Sequence, residues 1–153
     1  MVWAGISHGH RTELVFLEFP GRGAGLTAQG YINQVLRPVV LPFMQERDDF
    51  QLQQDNARPH SARVTQQFLR TSGVEVMDWP AMSPDLAPIE HIWDELGRRL
   101  QNRQPQPTNA AQLRAALTAE WHVIPQETIN RLVASMRARC TACIAAHGGH
   151  TGY

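Results

Sequence analysis

The chain has 153 residues, a length that favours one domain and allows a substantial core without staples. Fourteen basic residues balance fourteen acidic ones, so bulk charge gives no sign of a polyanion partner. No apolar run reaches the roughly 18 residues of a membrane span, the start carries no basic-then-apolar leader, and two cysteines are too few for a disulfide scaffold.

Those cysteines, Cys140 and Cys143, suit a reducing compartment. All fourteen basic residues are arginine. Arginine grips phosphate with a planar fork of donors, but the wholesale absence of lysine reads first as base-composition bias in the gene.

In chain order, Met1–Ile6 and Leu14–Phe19 read as two strands of a hairpin, turned at Ser7-His8-Gly9-His10 and closed by Pro20-Gly21. Residues 21–25 form a glycine-rich loop. Thr27 caps a helix through about Leu36, with Tyr31, Ile32, Val35 and Leu36 on one face. Pro38 is expected to disturb that helix, with another turn or two reaching Gln45. The charged run 46–49 is a loop. Phe50–Gln54 is a third strand, with Asp55 at its C-terminal end. Ser61–Arg70 is a helix with Val64 and Phe68 one turn apart, stopped by Ser72-Gly73. Val74–Trp79 is a fourth strand.

A proline-rich joint follows, from Pro80 to Pro88. Pro88 opens a helix whose apolar stripe is Ile89, Ile92, Trp93, Leu96 and Leu100. Residues 101–107 are a polar linker. Thr108 or Asn109 caps the next helix, with Leu113, Leu117 and Trp121 in line. Pro125 opens the last, with Ile129, Leu132, Val133, Met136, Cys140 and Ile144 turned inward. Strands separated by helices make this mixed α/β with some parallel pairing.

An acid just past an apolar strand stands where α/β sheets place their ligands, off the carboxyl ends of strands. Asp55 is such an acid; it also reads as an ordinary turn former. Glu90 lies in the first turn of a helix, whose N-terminus stabilises a carboxylate; it also reads as a solvent-facing helix-start acid. Two carboxylates brought together could share hard cations such as Mg²⁺.

Spacing and surroundings lift both above the ordinary reading. Gln54-Asp55-Asn56-Ala57-Arg58-Pro59-His60 resembles the second-aspartate motif of mariner-superfamily transposases, nearest the Tc branch. Trp79-Pro80 and the run Ser83-Pro84-Asp85-Leu86-Ala87-Pro88-Ile89-Glu90-His91-Ile92-Trp93 resemble that family's third-carboxylate motif. Thirty-four residues lie between Asp55 and Glu90, the interval of that branch's Asp-Asp-Glu triad. The ending, Gly148 to Tyr153, is also similar.

The resemblance implies an RNase H-like (integrase-type) α/β core over 1–104, with a C-terminal helical extension over 105–153. It implies metal-dependent DNA strand cleavage and transfer, and hence DNA transposition and integration. Asp55 and Glu90 would be catalytic and hold Mg²⁺ or Mn²⁺. The partners it implies are DNA, as transposon ends and target, and a second copy in a homodimer; the location is the nucleus. Met1–Ile6 matches the family's second strand. On this reading the core is N-terminally truncated: the first central strand with the first aspartate lies upstream of Met1, as does the helix-turn-helix region. The chain alone is then expected to be poorly active or inactive. The alternative is a non-enzymatic, domesticated nucleic-acid-binding remnant.

Around the motifs, Asn56, Arg58, His60 and Arg63 are candidate DNA contacts, and His60 could instead order its loop. Arg70, Arg98, Arg99 and Arg103 could also grip phosphates, where most protein–DNA contacts fall, or form a solvated face. Asp85 serves the turn or caps the helix. Cys140, Cys143, His147 and His150 have zinc-ligand chemistry, but the loop between the two pairs is short for known spacings. Core cysteines are the preferred reading.

Overall fold

Val2 to Phe16 forms the predicted hairpin in a more broken form. The computed structural model describes residues 1–19, 21, 24–47 and 50–153. Strand β1 (Val2–Trp3) pairs antiparallel with β4 (Val15–Phe16), and β2 (Ile6–Ser7) with β3 (His10–Arg11). Two residues separate β1 from β2 and three separate β3 from β4, so the return strand carries one extra residue, as a bulge requires. His8-Gly9 makes the tight turn, and Gly9 takes φ 82°, which a glycine adopts without strain. Pro20, the Arg22-Gly23 part of the glycine-rich loop and the Asp48-Asp49 part of the charged run lie outside the described residues.

The chain divides into two compact units. The first comprises Met1–Ala4 and Val15–Ser83. Thr27 caps its main helix as expected, its Oγ1 accepting the Gly30 N–H at 3.0 Å. Helical structure then runs unbroken through α1 (Ala28–Tyr31), a π-helical stretch (Ile32–Val40) and α2 (Leu41–Gln45). Pro38 does not break it. A proline ring collides with the carbonyl four residues back in an α-helix. The wider π turn, in which the Leu41 N–H reaches the Leu36 carbonyl five residues back, accommodates the ring. Tyr31, Ile32, Val35 and Leu36 are all buried, as their spacing predicts, and they form one core with Leu17, Val40 and Leu69.

The third and fourth predicted strands reduce to a single parallel bridge, Leu52 to Val76. The Leu52 N–H donates to the Glu75 carbonyl at 2.8 Å, and the Met77 N–H to the Leu52 carbonyl at 2.9 Å. The parallel sense is the one expected; the extent is not. The predicted 61–70 helix starts earlier and is interrupted, as α3 (Arg58–Ser61) and α4 (Arg63–Thr71), with Ala62 extended at ψ 140° between them. Its buried residues are Thr65 and Leu69 rather than Val64, which is exposed. The break shifts the inward face by one residue. Thr65 accounts for it, donating its hydroxyl to the Pro59 carbonyl at 2.7 Å.

The second unit comprises Gly5–Leu14 and Pro84–Tyr153. A 3₁₀ turn (Pro84–Leu86) leads into α5 (Pro88–Asn102), which buries Ile92 and Leu96. Asn109 caps α6 (Ala110–Val123), accepting the Gln112 N–H at 2.9 Å. Leu113 is exposed; Ala116 and Trp121 are the buried residues of α6. Trp121 is fully buried, stacked on Trp93 at 5.8 Å, and its indole N–H donates to the Thr12 carbonyl at 3.0 Å. Arg11 donates to the Trp121 and Ile124 carbonyls, so the hairpin tip caps the end of α6.

The single last helix of the prediction is two, α7 (Gln126–Ala134) and α8 (Met136–Ala145), parted at Ser135. That break rotates α8 and corrects the core-cysteine reading: Cys140 and Ile144 are exposed, Cys143 is half-buried, and Arg139 is the buried residue of α8. No three His, Cys, Asp or Glu side chains gather as a metal site among the described residues, so the zinc reading of Cys140, Cys143, His147 and His150 finds no assembled cluster. Among the described residues, no helix is long and apolar enough to cross a membrane.

Candidate active site

Asp55 follows the Leu52 bridge and stands exposed at the end of that strand segment. Its Oδ1 accepts two hydrogen bonds, from the Ala57 N–H at 3.1 Å and from His60 Nδ1 at 2.6 Å. An ionised carboxylate only accepts, so His60 carries its proton on Nδ1 in this pairing. The exposures are opposite: the Asp55 side chain is 68% accessible and the His60 side chain 16%. His60 is thus the fixed member of the pair. Its ring lies 4.3 Å from that of Tyr31, and the Tyr31 hydroxyl donates to Gln54 Oε1 at 2.9 Å. Burial, and then the Asp55 charge, push the Tyr31 phenol well above its ordinary pKa; a hydrogen bond with Trp3 opposes them.

Asn56 Nδ2 donates to the Trp79 carbonyl at 2.9 Å, tying the end of the Asp55 segment to the end of the Val76 segment. Between these segments lies a groove of about 570 Å³, lined by Asp55, Asn56, His60, Arg70, Asp78 and Trp79 among others. Arg58 and Arg63 are exposed on α3 and at the start of α4. Neither they nor Arg70 forms an ion pair with the described residues.

In the second unit, Glu90 occupies the first turn of α5 and is exposed. Its N–H donates to the Ala87 carbonyl at 3.1 Å, and Pro88 presets the first turn. Arg98, Arg99 and Arg103 do not present free guanidinium groups for phosphate. Arg98 pairs with Asp94 and Glu95, Arg99 with Glu95 at 2.7 Å, and Arg103 with Glu120 at 2.7 Å. Asp85 neither caps α5 nor faces solvent alone: its carboxylate accepts from Thr151 at 2.9 Å and its carbonyl accepts from Arg139 at 2.6 Å.

Residues 3–114 match the family model of the DDE superfamily endonucleases. The chain belongs to that family. It is 43% identical over 101 residues to the Tcb1 transposase of Caenorhabditis briggsae, covering 66% of this chain and 36% of that protein. It is 30% identical over 155 residues to the Tc3 transposase of Caenorhabditis elegans, covering all of this chain and 45% of that one. A solved structure of the Mos1 transposase catalytic domain with raltegravir and Mg superposes with a TM-score of 0.75 at 25% identity, over 90% of this chain and 71% of that chain. A Mos1 mariner paired end complex with Mn has a TM-score of 0.72 at 23% identity, over 90% of this chain and 41% of that one. The fold of this chain is therefore RNase H-like, and its relatives are the Tc and mariner transposases. The chain spans less than half the length of the curated relatives it matches.

Two side chains that bond to the motif segments escaped the sequence reading. Tyr31 was legible only as part of an apolar stripe, although its hydroxyl supports the Asp55 loop. Arg139 carried no signal, because a lone arginine in an amphipathic helix reads as solvated.

Proposed function

We propose that this chain is the catalytic-domain portion of a transposase that cuts and joins DNA strands, with Asp55 and Glu90 as metal-holding carboxylates. The observation that carries it is the Asp55 carboxylate: exposed at a strand end, within the family motif, and held at one oxygen by a half-buried histidine. Carboxylate oxygens are the donors that Mg²⁺ and Mn²⁺ prefer, so the donor chemistry fits. Held by Asp55 and Glu90, a pair of such ions would supply activation of the attacking oxygen and stabilisation of the leaving oxygen at a phosphodiester.

The chain's own residues do the rest. His60 orients Asp55, as hydrogen-bonded partners behind metal ligands do. Asn56 holds the rim of the groove against the Trp79 carbonyl. Arg58 and Arg63, exposed near that groove and outside any ion pair with the described residues, contact DNA phosphates. Such contacts position the duplex without reading its sequence. Membership among the transposases supports, as parts of the same reading, DNA as transposon ends and target, a homodimer and a nuclear location.

The test is nicking of supercoiled DNA in Mg²⁺ or Mn²⁺ by this chain and by a version extended through whatever coding sequence precedes Met1. Cleavage by the extended version, lost in Asp55→Ala and in Glu90→Ala, is expected. Equal cleavage by either variant would overturn the assignment. DNA binding with no metal-dependent cleavage by any version would favour the non-enzymatic alternative.

A further inference from the structure

Arg139 is the only charged side chain among the described residues that is buried, at 1% exposure. Burial lowers its pKa, against the raising influence of Tyr153 and Asp85. Burying a guanidinium is costly unless its donors are satisfied. Here Nε donates to Ser135 Oγ at 2.8 Å and Nη1 to the Asp85 carbonyl at 2.6 Å, while the Tyr153 ring lies 4.7 Å from the guanidinium carbon.

Asp85 is the middle residue of the 3₁₀ turn that delivers α5. The link from there to Glu90 is short and continuous. The Ala87 N–H donates to the Pro84 carbonyl at 2.9 Å, and the Glu90 N–H to the Ala87 carbonyl at 3.1 Å. Asp85 is held a second time, through its carboxylate, by the Thr151 hydroxyl at 2.9 Å. The tail reaches Asp85 because α8 ends in a reversal. His147 and Gly148 take φ of 51° and 78°, and the Gly148 N–H bonds back to the Cys143 carbonyl at 3.0 Å.

We propose that Arg139, closed over by the tail Thr151–Tyr153, is a positioning residue that fixes the turn before α5 and so the placement of the Glu90 carboxylate. A leucine or methionine at 139 would pack more cheaply, but neither can donate to a turn carbonyl and a hydroxyl at once. The bonds of Arg139 thus link α8 and the C-terminal tail to the segment that carries the third-carboxylate motif. The proposal rests on the reading of Glu90 as a metal ligand.

The experiment uses the full chain and two readouts. Hydrogen exchange at the Ala87 and Glu90 amides reports the turn. The Mn²⁺ concentration that half-broadens the Glu90 amide resonance reports the carboxylate. Arg139→Met is expected to speed exchange at both amides about tenfold or more, the loss of a charge-assisted hydrogen bond read as local opening, and to raise the Mn²⁺ midpoint several-fold. Arg139→Lys, which keeps one donor, should stand between, and exposed Arg137→Met should match the unmodified chain. If Arg139→Met does not fold, Thr151→Ala and Tyr153→Ala leave the guanidinium in place and carry the same readouts in the same direction. Unchanged exchange in folded variants would overturn the proposal. So would faster exchange with an unchanged Mn²⁺ midpoint, because Arg139 would then stabilise the turn without placing Glu90. If Mn²⁺ leaves Glu90 unbroadened in the unmodified chain, the metal reading of Glu90 fails, and the exchange result alone decides whether Arg139 holds the turn.

Discussion

The His60 bond to Asp55 takes its direction from what lies behind the ring. Tyr31 presses on the imidazole and is itself fixed through Gln54, so a chain of contacts runs from the core of the first unit to an exposed carboxylate. Tyr31 also makes a testable contribution to stability. Its folded pKa is raised, chiefly by burial, above the ordinary 10.0. The folded state therefore holds the phenolic proton more tightly than the unfolded chain. Stability from this group is complete below pH 10 and falls as pH rises above it. Thermal unfolding followed from pH 9 to pH 12, about the ordinary phenol pKa, should show an alkaline loss of stability that is smaller in Tyr31→Phe. Equal slopes in the two proteins would place the alkaline sensitivity elsewhere. Asp55 and Glu90 stood out in the sequence as candidates because each sits inside a long motif. The Tyr31 hydroxyl and Arg139 were not, because an apolar stripe hides a hydroxyl and a helical arginine reads as solvated.

At the scale of elements, the helices were easier to foresee than the strands. Thr27, Asn109 and Pro88 mark their helix starts through local chemistry that a sequence displays. The strand carrying Leu52 depends on a partner far along the chain, and it keeps one bridge. Pro38 disturbs its helix as expected, by widening it into a π-helical stretch rather than ending it, and the breaks at Ala62 and Ser135 turn helical faces in ways periodicity does not reveal. Trp121 shows what holds the second unit. Trp121→Phe keeps a ring against Trp93 but removes the N–H that satisfies the Thr12 carbonyl. It should cost about 1–3 kcal/mol, the penalty for a buried polar group left unpaired. Urea denaturation checks this, and a loss below about 0.5 kcal/mol, the range of an ordinary surface substitution, would mean that water replaces the bond.

At the scale of the whole molecule, the two motif carboxylates belong to different compact units, Asp55 to the first and Glu90 to the second. Family membership was legible from motif and interval, and the RNase H-like fold followed from it. What the sequence hid was how each carboxylate is supported: a histidine and a tyrosine behind Asp55, a turn held by Arg139 before Glu90. On the function proposed above, both acids hold the metal ions. The most direct test is a Mn²⁺ titration, followed by water-proton relaxation, of the unmodified chain, Asp55→Asn, Glu90→Gln and the double variant. Each single change is expected to weaken Mn²⁺ binding, and the double change to cost less than the two together, with a coupling of about 0.5–3 kcal/mol. Strictly additive losses, or Mn²⁺ bound as tightly by either single variant as by the unmodified chain, would contradict it.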